Sequence, residues 1–350
     1  MKFLEISDIK SVNVEISSHC NAACPLCTRN YNGYGVRDNF PLRDMSLSEF
    51  KALLDPVLTN PNILIHFCGT YGDPAANKHC LEILEYAYSQ NPKLRLMLSS
   101  NASMKTADWW AKFGKFPDLK IEFALDGLAD THSIYRQNTN WHKVIENAKA
   151  FIEAGGYAIW QFITFEHNKH QLEECRTLAM ELGFSEFKSF DDNRADALAF
   201  TPAGKPFVLG NQPQDTTMTA EEFVNQEKYL QKQYELNLQE EYVSDLSVDS
   251  IECYSQEGNI YIAVNGDVWP CCWLGGTFPM TSDSDNGWQL KNLPLVLNGL
   301  ANSLDAVIDS WNHISDTWDS ATPLSTCVKM CGKCDTYSGM QPKAIRESIQ

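Results

Sequence analysis

The chain has little positive charge and no long hydrophobic run. Only 28 of its 350 residues are Lys or Arg, against 45 Asp and Glu, so the formal net charge is −17. This balance argues against a protein that binds nucleic acid through its phosphates. No segment reaches the roughly 20 consecutive apolar residues of a membrane-spanning helix, and the N-terminus lacks the apolar run of a secretory signal. We therefore expect a cytoplasmic protein that does not use a membrane.

Internal repeats and low-complexity tracts are also lacking, whereas apolar residues and cysteine are plentiful. Apolar residues make up 43% of the chain, with 17 Phe, 13 Tyr and 9 Trp, which is ample for a packed core. The length predicts one large domain, or one large and one small. There are twelve cysteines, and in a reducing compartment so many thiols indicate metal or cluster ligands before disulfides.

The first three cysteines directly follow a predicted strand. An alternating apolar segment from Val12 leads to Cys20, Cys24 and Cys27, spaced C-x3-C-x2-C. Iron–sulfur clusters are normally held by four Cys thiolates, so three ligands leave one iron of a cubane free for a small molecule. A structural zinc site is the alternative, but it needs four protein ligands. His19 adjoins Cys20, where joint ligation of one metal would strain the chain.

This motif resembles that of the radical S-adenosylmethionine (SAM) superfamily. In that family the open iron chelates the amino and carboxylate groups of SAM, and the reduced cluster cleaves SAM to a 5′-deoxyadenosyl radical. The resemblance implies a SAM-ligating [4Fe–4S] cluster on Cys20, Cys24 and Cys27. It also implies oxygen-sensitive, anaerobic chemistry and a reductant such as flavodoxin or ferredoxin.

Strand-like and helix-like segments alternate after the cysteine loop, which predicts βα units around a parallel sheet. We expect strands near residues 12–17, 62–67, 94–99, 119–125, 158–165 and 184–189. Helices are expected near residues 46–57, 76–90, 104–114, 141–154 and 168–182. Six units predict an α/β fold, a partial (β/α)6 barrel of TIM type that forms a radical SAM core over residues 1–191. Functional groups of such barrels lie at the carboxyl ends of the strands.

Three of these strand ends carry segments similar to SAM-binding motifs of the family, and Gln161 lies where the fifth strand of the family often touches the SAM ribose or the substrate. The second is followed by a segment resembling Gly-Gly-Glu-Pro, with Asp in place of Glu and Tyr71 in place of the first Gly, and the third resembles Thr-Asn-Gly. The fourth leads to an Arg whose planar fork suits the SAM carboxylate. For each residue the alternative is an ordinary loop or ion-pair role. The resemblance implies these SAM contacts: Gly72, Asp73, Pro74, Ser100, Asn101, Asp126, Arg136 and Gln161.

Several other reactive side chains in this half are predicted to be structural. His66 and Cys68 share one face of the second strand, and buried His and Cys are common in cores. Cys80 and Cys175 fall on amphipathic helices as small core residues. Asn168 is predicted to cap the helix that follows it, because its side chain can accept from the first amides of that helix.

The middle of the chain differs in composition from what precedes it. Between about 192 and 218 the periodicity fades and Pro and Gly punctuate the sequence, and a polar, charge-rich helix follows near residues 219–238. We therefore predict that residues 192–249 form a linker with a solvated helix.

A second group of cysteines is associated with a predicted hairpin. Residues 259–264 alternate as a strand, and Asn265-Gly266 is the strongest short hairpin signal in the sequence. The returning strand brings Cys271 towards Cys253. We expect residues 250–350 to form a small cluster-binding domain made of a β-hairpin and a helix.

This arrangement of cysteines resembles the SPASM and Twitch domains that extend some radical SAM enzymes. The chain has C-x12-G-x4-C and then C-x2-C, without the C-x2-C-x5-C-x3-C of a full SPASM domain, so the single-cluster Twitch form fits. A structural zinc ribbon remains an alternative. Cys272 is a bystander because adjacent thiols point apart. The resemblance implies one auxiliary [4Fe–4S] cluster on Cys253, Cys271, Cys331 and Cys334, with Cys327 as the alternative ligand.

Together these features predict a radical SAM oxidoreductase. After hydrogen abstraction the substrate radical loses its electron to the auxiliary cluster, in the dehydrogenation of a small metabolite or the modification of a peptide. The core begins about a dozen residues from Met1, which leaves no room for a leader-binding domain and favours a small metabolite or a separately delivered peptide. Two alternatives are a redox-neutral epimerase or isomerase and a non-catalytic zinc protein with an interaction surface. No residue is identified as a catalytic acid or base.

Overall fold

The computed structural model describes most of the chain. The described residues are 3–38, 40–191, 197–210, 216–236, 249–277, 290, 293–320, 323–334, 337–338 and 345–348. The backbone alone is described for residues 231, 233–236, 276–277, 325, 329, 334, 337–338 and 345–348.

A nine-stranded, mostly parallel sheet organises the molecule. The strands of all the described sheets are β1 (Ser11–Val14), β2 (Leu64–Phe67), β3 (Arg95–Ser100), β4 (Leu119–Ala124), β5 (Tyr157–Thr164), β6 (Glu186–Asp191), β7 (Leu198–Phe200), β8 (Pro206–Val208), β9 (Ser250–Ile251), β10 (Asn259–Ile262), β11 (Val268–Trp269), β12 (Gly332–Cys334), β13 (Tyr337–Ser338) and β14 (Ile345–Ser348). The main sheet has the order β11-β10-β1-β2-β3-β4-β5-β6-β14. Strands β1 to β6 and β10 run parallel, and the two edge strands are antiparallel to their neighbours.

The described helices are α1 (Leu47–Leu58), α2 (Cys80–Gln90), α3 (Ala107–Phe113), α4 (His132–Tyr135), α5 (Trp141–Glu153), α6 (Leu172–Glu181), α7 (Ala220–Leu236), α8 (Cys272–Thr277), α9 (Leu304–Ser310), α10 (Asn312–Ser315) and α11 (Ser325–Cys331). Those from α1 to α6 lie in the connections between the parallel strands β1 to β6. The six predicted βα strands and the five helices between them are confirmed, with ends that differ by a few residues. The α/β class is likewise confirmed, as an open sheet. None of the described helices is long and apolar enough to cross a membrane.

Local sequence signals explain where the helices begin. Ser46 and Glu49 form a capping box at the start of α1, in which each side chain accepts from the backbone amide of the other. Asn140 caps α5 by accepting from the amide of Lys143 at 3.1 Å. Both arrangements satisfy amides that have no partner within the helix.

The capping role predicted for Asn168 is wrong. Asn168 precedes a 3-10 turn and its side chain makes no capping bond. Its Oδ1 accepts from the amide of Phe165 at 2.7 Å, and its Nδ2 donates to the carbonyls of Ile163 and Asp126 at 2.9 and 3.3 Å. The side chain is used to tie the end of β5 to the loop after β4, so it is not available to cap α6.

The two faces of the main sheet differ in polarity. On β1 and β2, Val12, Val14, Ile65 and Phe67 are fully buried in the apolar core. The alternate positions on these strands carry polar side chains such as Asn13 and His66, because successive residues of a strand point to opposite faces.

The C-terminal hairpin is not a separate layer. β10 and β11 form the predicted hairpin around Asn265-Gly266, but β10 also pairs in parallel with β1, so the hairpin extends the main sheet. The predicted linker also contains more structure than its composition indicates. β7 and β8 form a small hairpin, and Asn32 Nδ2 donates to the carbonyl of Leu198 at 2.8 Å, which fixes it to the loop after the first cysteines.

Candidate active site at the carboxyl edge of the sheet

The first three cysteines open onto one cavity at the carboxyl ends of the parallel strands. The cavity has a volume of about 450 Å³, within the range of small-molecule sites. Cys20, Cys24 and Cys27 all line it. Of the residues predicted to contact SAM, the cavity wall contains Gly72, Asp73, Ser100, Asn101, Arg136 and Gln161.

Hydrogen-bond donors are directed at the thiols. The amide of Ala22 and the Nδ2 of Asn101 each lie 3.3 Å from Cys20 Sγ, and Arg136 Nη1 lies 3.9 Å from Cys24 Sγ. Burial raises the pKa of Cys24 to about 11, because desolvation outweighs the lowering by Arg136. Such thiols keep their protons unless a metal replaces them. Donors aimed at the sulfur atoms of Cys20 and Cys24 fit the thiolates of a bound cluster.

Asp73 is held in a closed set of hydrogen bonds. It is 2% exposed, and its carboxylate accepts from the amides of Ala75 and Asn101, from Asn101 Nδ2 and from Ser100 Oγ, at 2.7 to 3.0 Å. A carboxylate has about four acceptor sites, so these donors fill them. Burial raises the pKa of Asp73 against the effect of these donors. Asp73 therefore joins the loops after β2 and β3.

The loop that contains Asp73 packs closely on the cysteine segment. A Cβ atom on Gly72 would lie 2.0 Å from the carbonyl oxygen of Ser17, so only glycine fits there. Pro74 starts the 3-10 turn Pro74–Ala76 behind this contact and is buried. Pro74 and Asp126 are absent from the cavity wall, and their contact with SAM stays a prediction.

Asp126 instead positions Arg136. Arg136 Nε donates to Asp126 Oδ2 at 2.5 Å, and Asp126 Oδ1 accepts from the amide of Ile163 at 2.7 Å. Asp126 is fully buried. Burial by itself would lower the pKa of Arg136, but Asp126 and then Cys24 raise it above its ordinary value. The guanidinium is thus permanently charged and faces the cavity.

Two cavity residues for which the sequence predicted no role in this site come from the C-terminal part of the chain. Cys272 and Trp273, at the start of α8, line the cavity, and Trp273 is 46% exposed at its rim. Tyr71 also lines it, and its Oη donates to the carbonyl of Gly275 in α8 at 3.4 Å. Two features of the sequence could have pointed to these residues: the Cys271-Cys272 doublet, and Tyr71 at the place where the family motif has its first glycine.

Arg29 is a further cavity residue that the sequence reasoning missed. It is 6% exposed, and it donates from Nη2 to the carbonyl of Cys20 at 2.8 Å and from Nη1 to the carbonyl of Ala22 at 3.2 Å. These bonds connect the buried Arg29 side chain to the backbone of the cysteine loop. Its only signal was its place two residues after Cys27.

Four thiols of the C-terminal half lie close enough to interact with one another. The Cys253 and Cys331 side chains are hydrogen-bonded, and Cys271 and Cys327 interact electrostatically with them. Donation from Cys253 lowers the pKa of Cys331 to about 6, whereas burial raises that of Cys327 to about 12. The side chain of Cys334 lies outside the described part of the chain.

A chain of polar side chains crosses the inner face of the sheet next to the cavity. Lys188 Nζ donates to Glu122 Oε1 at 2.8 Å, Ser99 Oγ donates to Glu122 Oε2 at 2.8 Å, and His66 lies 2.8 Å from Ser99 Oγ and 3.0 Å from Asn13 Oδ1. Ser99 reaches the cavity wall. The predicted core positions of three other cysteines are confirmed, as all are buried: Cys68, Cys80 and Cys175.

The family model described as the radical SAM superfamily matches residues 14–178. No curated protein sequence matches the chain.

Among solved structures, the fold is similar to that of SuiB from Streptococcus suis bound to S-adenosylmethionine, with 13% identity, a TM-score of 0.55, and 92% of this chain and 68% of that chain covered. It is similar to anSMEcpe with bound AdoMet, with 15% identity, a TM-score of 0.54, and 91% and 90% covered. SuiB bound to its precursor peptide SuiA gives 13% identity, a TM-score of 0.52, and 91% and 76% covered. At these identities the likeness concerns the fold.

Proposed function

We propose that this chain, whose residues 14–178 match the radical SAM superfamily model, cleaves SAM reductively at a [4Fe–4S] cluster held by Cys20, Cys24 and Cys27. The observation that carries the proposal is the shared cavity, in which the three thiols face a charged Arg136 fixed by Asp126. When bound, the reduced cluster supplies the electron that splits SAM into methionine and a 5′-deoxyadenosyl radical.

The residues of this chain bind and orient SAM. Arg136 offers its remaining N–H groups to the SAM carboxylate, because Asp126 occupies Nε and fixes the plane of the guanidinium. Asn101 donates towards Cys20. Gly72 lets its loop pack closely against Ser17 of the cysteine segment. Gln161 lines the same wall, in reach of a ribose or substrate. Asp73 holds the loops after β2 and β3 together, since its acceptor sites are already filled by groups of these loops.

We infer that a second [4Fe–4S] cluster binds to Cys253, Cys271 and Cys331, with Cys327 or Cys334 as the fourth ligand. Support comes from the four described thiols that meet there. Because Cys271 belongs to this group and its neighbour Cys272 lines the cavity, an electron from a substrate radical has a short path to the cluster. Net oxidation of the substrate is therefore the reaction we favour, with a flavodoxin- or ferredoxin-type reductant for the first cluster.

The substrate is expected to present a small reacting group. SAM and the first cluster share a cavity of about 450 Å³, so only part of a larger molecule reaches the radical. The exposed Trp273 at the rim suits contact with the rest of that molecule. A peptide that inserts one side chain meets both conditions, and structures of SuiB with a precursor peptide support it by similarity of fold. A small metabolite remains the alternative.

The decisive experiment counts iron and acid-labile sulfide after anaerobic reconstitution. Two cubanes require about eight of each per chain and one requires about four. We expect about eight in the wild type and about four in Cys20→Ala, which should also form no 5′-deoxyadenosine with dithionite and SAM. A colourless zinc-containing protein that ignores SAM would instead establish the non-catalytic alternative.

The position of Cys272 favours one second candidate, a redox-neutral reaction. A thiol in the cavity wall can return a hydrogen atom to a substrate radical, which gives epimerisation instead of oxidation. Turnover of a candidate peptide in D2O separates the two. One solvent deuteron on carbon with no change in oxidation state indicates epimerisation, whereas loss of two mass units indicates oxidation.

A further inference from the structure

Two buried guanidinium groups line the cavity, and they differ in their counter-charges. Arg136 is paired with the carboxylate of Asp126 at 2.5 Å. Arg29 is 6% exposed and lines the same cavity, but within the described part of the chain no carboxylate forms an ion pair with it. Asp73, also in the cavity wall, is bonded to neutral groups of Ser100 and Asn101.

Among the residues that the structure describes, the hydrogen-bond partners of Arg29 are all neutral. Nη2 donates to the carbonyl of Cys20, and Nη1 donates to the carbonyl of Ala22 and to Asn30 Oδ1, at 2.8 to 3.3 Å. Its Nε is buried and has no partner among the described residues. A buried charge is costly unless an opposite charge compensates it. The groups that can carry that charge beside Arg29 are the thiolates of the cysteine loop.

We propose that Arg29 is the counter-charge of the cluster on Cys20, Cys24 and Cys27 and favours its one-electron reduction. This inference rests on the proposed function, because it requires the cluster at that place. Reduction adds one negative charge, supplied by a one-electron reductant such as flavodoxin, with no proton and no bond change. A fixed, buried positive charge beside the cluster stabilises the reduced form more than the oxidised form. Arg136 contributes less because Asp126 neutralises it.

The test is an anaerobic redox titration followed by electron paramagnetic resonance, without SAM. The signal that changes when SAM is then added identifies this cluster. The variants are Arg29→Gln, which removes the charge, and Arg29→Lys, which keeps it. Arg37→Gln is the matched control, because Arg37 follows on the same loop and has its own partner, Glu227, at 3.0 Å.

At a potential near the wild-type midpoint we expect the ratio of reduced to oxidised cluster to fall at least about tenfold in Arg29→Gln, which corresponds to about 59 mV for one electron. Arg29→Lys should stay within about threefold of the wild type, and the Arg37→Gln control should not change. A normal iron content with an unshifted titration in Arg29→Gln would overturn the inference. So would an unshifted titration with weakened SAM binding, which would make Arg29 a SAM ligand.

Iron content resolves the case in which Arg29→Gln does not assemble the cluster. If Arg29→Lys assembles it and Arg29→Gln does not, the charge is required and the inference stands. If neither variant assembles the cluster, Arg29 acts through its hydrogen bonds to the carbonyls of Cys20 and Ala22 and not through its charge, and the inference is wrong. A wild-type protein without iron or SAM cleavage would instead contradict the proposed function.

Discussion

Asp126 and Arg136 form a buried ion pair of 2.5 Å at the carboxyl edge of the sheet, and the pair directs the rest of the guanidinium into the cavity. Asp126 is anchored by the amide of Ile163. A flexible side chain from the loop after α4 is thereby fixed relative to the three cysteines, which lie on a loop far away in sequence.

Asp126→Asn is expected to weaken SAM binding. A charge-assisted hydrogen bond contributes about 1.5–3 kcal/mol, so the Kd for SAM should rise about 10-fold to 100-fold when Arg136 is no longer oriented. Calorimetric titration of the reconstituted protein without reductant measures this. Glu173→Gln, which removes an exposed partner of Arg176, is the control and should leave the Kd unchanged. A Kd within twofold of the wild type in Asp126→Asn would show that Arg136 binds SAM without this support.

The four interacting thiols of the C-terminal half predict which cysteines hold the auxiliary cluster. Cys327→Ser should lose about four iron atoms, because Cys327 lies with Cys253, Cys271 and Cys331. Cys272→Ser should keep all its iron, since Cys272 faces the cavity. Iron analysis of these variants and of Cys334→Ser decides the fourth ligand. Full iron in Cys327→Ser with loss in Cys334→Ser would assign the site to Cys334.

The ion pair between Glu122 and Lys188 makes the inner face of the sheet sensitive to charge removal. Both side chains are 8% exposed, so Glu122→Gln takes the nearer carboxylate from a buried ammonium and leaves it only Glu186 at 4.0 Å among the described residues. The free energy of unfolding should fall by about 3–5 kcal/mol, as measured by denaturant titration. Glu146→Gln breaks the exposed pair with Lys143 and should change it by less than about 0.5 kcal/mol. Equal effects of the two variants would mean that water reaches the Lys188 site.

Glu15 predicts a pH dependence of stability. Burial raises its pKa from 4.5 to about 8, although the amide of Tyr71 opposes this. Between these values the folded protein holds a proton that the unfolded chain releases, so stability decreases as the pH rises from 4.5 to 8. Glu15→Gln keeps an acceptor for Tyr71 and removes this loss.

The midpoint of thermal unfolding measures the effect of Glu15. The advantage of Glu15→Gln over the wild type should be small near pH 5 and grow towards pH 8, by up to about 1.4 kcal/mol per pH unit. Glu153→Gln, at an exposed helix position, should show no such trend. A difference that does not depend on pH would show that Glu15 is ionised in the folded protein.

The sequence predicted much of the site because its signals are local. The spacing of Cys20, Cys24 and Cys27 and the strand before them indicate three thiols on one loop. Alternation of strands and helices places Ser100 and Gln161 at one edge of the sheet, since parallel strands end on the same side. The hairpin at Asn265-Gly266 follows from turn chemistry.

Other parts of the site depend on contacts between distant segments. The parallel pairing of β10 with β1 brings α8 to the cavity, and no pattern in either strand specifies that partner. The predicted cap at Asn168 failed for the same reason, because its side chain bonds to the loop after β4.

By itself, therefore, the sequence determined the α/β architecture, the radical SAM motif and the two groups of cysteines, because periodicity and spacing act over a few residues. Only the tertiary structure decided that Cys272 lines the cavity, that Asp126 supports Arg136, and that Arg29 is buried with no carboxylate partner among the described residues. Burial and electrostatic pairing depend on which segments meet in space, and that is set by the packing of the whole chain.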